Sequence, residues 1–410
     1  MVPPMTLLRN RWMRHLAAWI LGVTAFRVGL VPPQDCPPVT REQVEAALHD
    51  ATSWATANLR PDGTFLYRYD RSTETDLGTY NLIRHAGMVS SLYSAAATPD
   101  DPWVRTAESG LDYMLANLIQ IDDSVAFTAP GFGVRTGATA LMVSSMVYRR
   151  RLTGRHDLDS TMRSAGRFLR SQQESDGAVR AFWDRTTGQP VPDRYGPFAT
   201  GETFWALALL DQEFPSEGWA DAASLTGRYI VEGRRAKEGY ILRLPDHWAA
   251  YGFDALDRTP DPGEREYLRR LAGDMALMSR VESQRRTSGL QSFIRRDQAL
   301  GAGVGAMGEG TAALWRVSPR VESLTPVRAE LEQRLMCVAG LMVKRQVRPG
   351  EGVPPEEAGA WFRRDVTQID DQQHSISALA AIIGVFDSAD PQGRPLPMAA
   401  LSRPRRGAEP

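Results

Sequence analysis

Lysine is almost missing from this 410-residue chain: of its 48 basic residues only Lys237 and Lys344 are lysine. Set against 49 acidic residues, they leave a formal net charge of −1. No one-signed field is therefore available to hold DNA or RNA, and the arginine excess reads as genome composition, not as a phosphate-binding surface. Cysteine is nearly as scarce. Two residues, Cys36 and Cys337, exclude a disulfide framework and a four-thiolate metal site. One bridge between them in an oxidising compartment, or two unpaired thiols, are the alternatives left. Period-two strand patterns are nearly absent. There is no phosphate loop, no dinucleotide fingerprint after a strand and no GxSxG elbow. Histidine pairs of the HxxxH kind are missing too, so neither a metal nor a cofactor is expected. Beyond the N-terminus no stretch approaches ~18 continuous apolar residues, which excludes a membrane-spanning body.

What is present is globular in composition, with 42% hydrophobic and 24% charged residues. At the N-terminus, Arg9, Arg11 and Arg14 precede the apolar run 16–26, which Arg27 interrupts. Val23-Thr24-Ala25 has the small-residue character of a signal-peptidase site. Residues 1–35 thus read as a signal peptide or an N-terminal membrane anchor, with a plain soluble helix as the third alternative. The expected location is periplasmic or secreted. Residues 36–390 read as one folded unit and 391–410 as a disordered tail.

Helical periodicity dominates the folded unit. From Thr40 to Leu59, Val44, Ala47, Leu48, Ala51, Trp54 and Ala55 share one face. Thr40 and Gln43 make a capping-box pattern ahead of it. Similar segments follow at 79–97, 101–120, 136–153, 157–173, 199–213, 217–233, 246–257, 263–285, 305–317, 324–346 and 370–386, which makes twelve helices. The even members, such as GATALMVSSMV and HSISALAAIIGVF, are small and apolar nearly all round. The odd ones, such as REQVEAALHDATSWA, carry more charge. That contrast predicts an inner and an outer ring. After the odd helices comes a glycine turn, at Gly63, Gly131, Gly177, Gly239, Gly289 and Gly359, spaced 46 to 70 residues apart. Each interval fits one helical hairpin, and six hairpins closed in a ring bury one continuous core.

The stretch SQQESDGAV, and more loosely NLRPDGTF, resembles the glutamine-then-DG-aromatic turn of α/α-toroid proteins. That superfamily includes six-hairpin glycosidases, N-acylglucosamine 2-epimerase-like enzymes and terpenoid cyclases, and the resemblance spans roughly residues 40–388. It implies an all-α (α/α)6 toroid with its active site at the mouth where outer helices end and inner helices begin. Asp122-Asp123 resembles part of an acidic terpene-cyclase motif, but the full DxDD pattern is absent.

In a ring of alternating helices, all inner helices start on one rim, so residues far apart in sequence converge there. They are Tyr80, Asn81, Arg84 and His85; Arg135; Tyr195 and Glu202; Asp246, His247 and Trp248; Glu309; and Asp370, Asp371, Gln373 and His374. Asp70 lies on a loop over the same rim. Glu202, Glu309, Asp246, Asp370 and Asp371 are the candidate catalytic carboxylates and the others candidate substrate binders, a combination suited to acid–base work on a polyhydroxylated substrate. Each carboxylate has a plain alternative, because Asp is a common N-cap and Glu in a first turn a common dipole partner. Adjacent Asp370 and Asp371 diverge by ~100° on a helix, so they are not expected to face the cavity equally.

The leading expectation is an exported carbohydrate-active enzyme. The form expected is a glycoside hydrolase acting on an envelope or extracellular polysaccharide through a carboxylate acid and a carboxylate base. The alternatives are a sugar epimerase, isomerase or lyase working through His and Tyr, and a non-catalytic glycan- or peptide-binding envelope protein.

Overall fold

In a computed structural model, residues 5–30, 32–238, 246–287, 292 and 297–389 are described. Gly239, Gly289 and the 391–410 tail lie outside them. Within these limits the helices are α1 (Met5–Leu30), α2 (Arg41–Ala57), α3 (Leu82–Ala95), α4 (Val104–Ala116), α5 (Thr136–Thr153), α6 (Asp159–Gln172), α7 (Ala199–Glu213), α8 (Trp219–Glu232), α9 (Arg234–Lys237), α10 (His247–Ala255), α11 (Pro262–Ser283), α12 (Gly301–Val317), α13 (Arg328–Arg345) and α14 (Ile369–Ala389). Helices α3, α5, α7, α10, α12 and α14 each pack on the next, and α14 packs on α3, which closes an inner ring. Helices α2, α4, α6, α8, α11 and α13 cover it from outside. The architecture is the (α/α)6 toroid.

Side-chain character sorts the rings as expected. In α5 every residue from Thr136 to Arg149 is buried, whereas α6 buries only Met162, Ala165, Gly166, Phe168, Leu169 and Gln172 along one stripe. Small residues let inner helices touch, and their hydroxyls find partners across the seams. Ser144 bonds Ser90 at 2.9 Å, Ser91 bonds Ser377 at 2.7 Å and Ser145 donates to Ala86 O at 3.1 Å. At the Thr40 N-cap of α2 the full capping box forms with Gln43.

Three of the glycine turns dock one hairpin on the next. Gly177 has φ +92°, and a Cβ there would overlap the Leu225 carbonyl of α8. The same contact recurs between Gly63 and Ser109 of α4, and between Gly359 and Asp50 of α2, which closes the outer ring. Only glycine combines that φ with so close a backbone. Gly131 is a correction. The counterpart turn after α4 is the hairpin of the strands Leu118–Ile121 and Ser124–Phe127. Its tip holds Asp122 at φ +50°, and Ser164 and Arg167 of α6 donate to the Asp123 carbonyl. Helix α12 is a second correction, because the periodicity starts this helix at 305 and GAGV before it is already helical from Gly301. Each mid-helix glycine costs about 1 kcal/mol in propensity. Here packing offsets it: a Cβ at Gly305 would lie 2.5 Å from the His374 backbone carbon of α14.

The chain ends are tied to each other. The strand Arg68–Asp70, in the first hairpin's loop, pairs antiparallel with the strand Val366–Gln368, just before α14. Cys36 and Cys337 form a disulfide with a sequence separation of 301. Arg334 holds Gln34 at 2.6 Å and Lys344 holds Asp35 at 2.8 Å, so the segment leading into the domain lies along α13. Helix α1 exposes Trp12, Leu16, Trp19, Ile20 and Phe26. Among the described residues no helix is long and apolar enough to cross a membrane.

The disulfide closes so long a loop that the chain-entropy limit on its stabilisation is about 5 kcal/mol. Cys36→Ser is therefore expected to lower the thermal midpoint by on the order of 5 °C. A calorimetric scan showing an unchanged midpoint would remove the disulfide from the account of stability.

Candidate active site

A cavity of about 380 Å³ sits at the rim where the inner helices begin. Its polar wall is Asn81, Arg84, Arg135, Glu202, His247, Asp370, Gln373 and His374, joined by Trp248. These come from α3, α7, α10 and α14 and the approach to α5, so convergence of inner-helix starts does build the site. Apolar lining is supplied by Ile83, Leu141, Phe182, Phe198, Met275, Met278 and Met307, among others. Sequence reasoning missed this lining. Apolar positions on a buried helix carry no functional signal, and Met275 and Met278 reach the cavity from the outer helix α11.

Glu202 is buried in the first turn of α7. Its carboxyl fits because residue 137 of α5 is glycine, where a Cβ would overlap Glu202 Oε2. It has no hydrogen-bond partner among the described residues. Burial pushes its pKa up to about 8, nearby Asp246 adds to the rise, and His374 and Arg234 pull the other way. At neutral pH Glu202 therefore holds a proton inside the cavity.

Asp370 opens α14 and ion-pairs with Arg84 Nη2 at 3.2 Å, while its Oδ1 is buried without a partner. Burial raises its pKa; Arg84 and His374 oppose the rise. Arg84 is itself held by Tyr67 Oη at 2.5 Å and Gln368 Oε1 at 3.3 Å. His374 bonds Glu309 Oε2 through Nδ1 at 2.6 Å. Burial disfavours its charge, yet Glu309 and Asp370 leave its pKa above the usual histidine value. Gln373 is seated against Gly87, where a Cβ would lie 2.9 Å from its amide. Trp248 stacks on Trp205 with ring centroids 5.4 Å apart, and Trp205 on Tyr251 at 4.9 Å.

The remaining candidates do not reach the cavity wall, each for a local reason. Asp371 accepts Ala302 N at 2.9 Å and Gln368 N at 3.1 Å, so its carboxylate joins two helix starts. Asp246 caps α10 through Ala249 N at 3.2 Å and ion-pairs with buried Arg234. Glu309 lies behind His374 and is buried. Tyr80 and His85 face outward to α4: His85 is buried, bonded to Tyr80 Oη at 2.6 Å and Gly110 O at 2.9 Å, and burial lowers its pKa to about 4. Tyr195 donates to Glu174 at 3.0 Å, and Asp70 caps its own turn through Ser72 N at 2.9 Å.

No protein-family profile matches the chain, and no curated protein sequence matches it either. Solved structures do. An unsaturated glucuronyl hydrolase specific for heparin matches with a TM-score of 0.59 at 12% identity, covering 85% of this chain and 98% of that one. An α-1,6-mannanase of Salegentibacter sp. HEL1_6, solved with α-1,6-mannotriose, gives 0.57 at 12% identity over 84% and 99%. A sugar epimerase from a ruminal bacterium gives 0.59 at 11% identity over 83% and 98%. At such identities the likeness establishes the shared toroid fold.

The Glu202 assignment has a thermodynamic consequence. Its folded pKa lies above its unfolded value, so its contribution to stability is full below about pH 4.5 and falls away as pH rises to about 8. Glu202→Gln, which cannot ionise, should show a flatter decline of thermal midpoint over that window. Parallel curves for wild type and variant would mean that the carboxyl is ordinarily ionised.

Proposed function

We propose that this chain is an exported carbohydrate-active enzyme, and that its reaction is glycoside hydrolysis. The observation that carries the reading is the pairing of unlike carboxyls in one cavity: Glu202, protonated and without a polar partner, and Asp370, held beside Arg84. Burial raises both carboxyls, but Arg84 opposes the rise at Asp370 and no cation touches Glu202, and carboxyls in such unlike environments can divide the acid and base roles. In this reading Glu202 protonates the glycosidic oxygen as the bond breaks. Asp370 activates water or attacks the anomeric carbon. Arg84 holds the Asp370 carboxylate, and Asn81, Arg135 and Gln373 supply donors for sugar hydroxyls. Trp248 offers a flat face to a ring.

The neighbours are consistent with this. Several are glycan hydrolases, and the inactive α-1,6-mannanase variant has two consecutive aspartates replaced by asparagine. This chain has consecutive Asp370 and Asp371 at an inner-helix start. Export is supported by the basic and apolar N-terminus, the exposed apolar face of α1 and the Cys36–Cys337 disulfide, since such bonds persist in oxidising compartments.

A second reading, a sugar epimerase or isomerase, is favoured by one contact. Glu309 fixes His374 through Nδ1, which orients a histidine of the cavity wall as a carboxylate orients a catalytic base. Tyr80 and His85, facing α4, have no part in it.

Turnover on a panel of envelope and matrix polysaccharides and free sugars tests both, with hydrolysis read by product mass and epimerisation, which leaves the mass unchanged, read by proton NMR. Glu202→Gln and Asp370→Asn should each lower kcat by about 100-fold or more. If turnover survives both changes and His374→Ala abolishes it, the hydrolase reading fails and the epimerase reading stands.

A further inference from the structure

We propose that His247, Glu309 and His374 bind one divalent transition-metal ion, of the zinc type, at the floor of the cavity. The three residues come from α10, α12 and α14, and α12 packs between the other two. Their donor atoms all lie within 4.8 Å of one another. Glu309 Oε2 is the hub, 2.6 Å from His374 Nδ1 and 3.7 Å from His247 Nε2.

The second distance is the informative one. His247 Nε2 is buried, has no hydrogen-bond partner, and lies beyond hydrogen-bond reach of the carboxylate oxygen nearest it. Buried ring nitrogens normally have a partner, and an orphan calls for a water or an ion. Two histidines and a glutamate form a donor set used by zinc, with metal–ligand distances of about 2.0–2.2 Å. Ligands on one such ion stand about 3–3.5 Å apart. The 3.7 Å gap needs to close slightly and the 2.6 Å contact to open, with the ion replacing the His374–Glu309 hydrogen bond.

The surroundings are built for this approach. On α12, Gly305 lies one turn before Glu309 and Gly310 directly after it. A Cβ at Gly305 would come within 2.7 Å of His374 Cβ, and one at Gly310 within 3.1 Å of His247 Cβ. Glycine at both places lets the two histidines close on the glutamate between them. Tyr251 lines the same small cavity as Glu309, an outer neighbour of the kind that orients a metal-binding carboxylate. Because His247 and His374 both line the cavity, the remaining coordination position faces substrate or water. The site is independent of the hydrolase reading, which rests on Glu202 and Asp370.

The test is metal binding by the full chain, stripped with a chelator and then titrated with Co²⁺ and Zn²⁺ alone. Isothermal titration should give one tight equivalent, and Co²⁺ should show the visible bands of a four- or five-coordinate nitrogen/oxygen site. His247→Asn and Glu309→Gln should each weaken binding by about 100-fold, with circular dichroism confirming that they are folded. Wild-type protein that takes up no Co²⁺ overturns the proposal even if no variant folds. So does binding left intact by both substitutions, which would place the ion on an exposed histidine such as His49 or His156. Loss of turnover without loss of metal would bear on the hydrolase reading alone.

Discussion

Six inner helices have to bring their first turns into one small space, and side-chain volume at those turns sets how near they come. Glycine is the device that recurs. Gly137 clears a seat for Glu202, Gly87 for Gln373, Gly305 for His374, and Gly201 for the carboxylate of Asp246. In each pair a residue of one helix occupies the volume that a Cβ on the neighbouring helix would fill. Close packing and the placing of polar groups are therefore one constraint. The glycines lower helix propensity, and burial of apolar faces on both sides of each inner helix offsets the loss. The same close approach docks the outer hairpins through Gly63, Gly177 and Gly359.

The second consequence is electrostatic. Carboxyls drawn into a ring of apolar helices have to find a cation, find backbone N–H groups, or keep their proton. Each solution is present. Asp246 pairs with Arg234, Asp371 takes two backbone donors, Asp370 leans on Arg84, and Glu202 has none of these. Two of these carboxyls line the cavity. Glu202 keeps a proton beside a cavity, and Asp370 retains a buried oxygen without a partner. Asp246, paired with Arg234, and Asp371, which burial still pushes up to about 7 despite its two backbone donors, lie off the cavity wall.

Much of this was legible in the sequence. Periodicity separates inner from outer helices, because burial on all sides and burial on one stripe leave different residue patterns. Polar residues at the starts of apolar helices identified the rim, and with it Arg84, Glu202, Asp370 and His374. Facing was not legible. Asp370 and Asp371 are neighbours in sequence, yet one lines the cavity and the other caps helices, a difference of ~100° around α14. His85 sits at an inner-helix start like His374 but points at α4, and only the packed partner decides that. Arg234, the cation that neutralises Asp246, belongs to a basic run whose composition suggests a solvated face. The glycine-rich opening of α12 reads as loop by propensity and is helix because α14 needs the room. The Asp122 turn escaped because a non-glycine residue holds the left-handed conformation there.

The hydrolase reading depends on Glu202 being held, protonated, in the space beside Gly137. Carbon-13 NMR of the glutamate side-chain carboxyls, with Glu202→Gln to assign the signal, measures this directly. The account predicts a Glu202 titration near pH 8 in the wild-type chain and a shift toward the ordinary glutamate value in Gly137→Ala, where the new methyl group displaces the carboxyl toward the cavity opening. A wild-type titration near pH 4.5, or one that Gly137→Ala leaves unchanged, would contradict it.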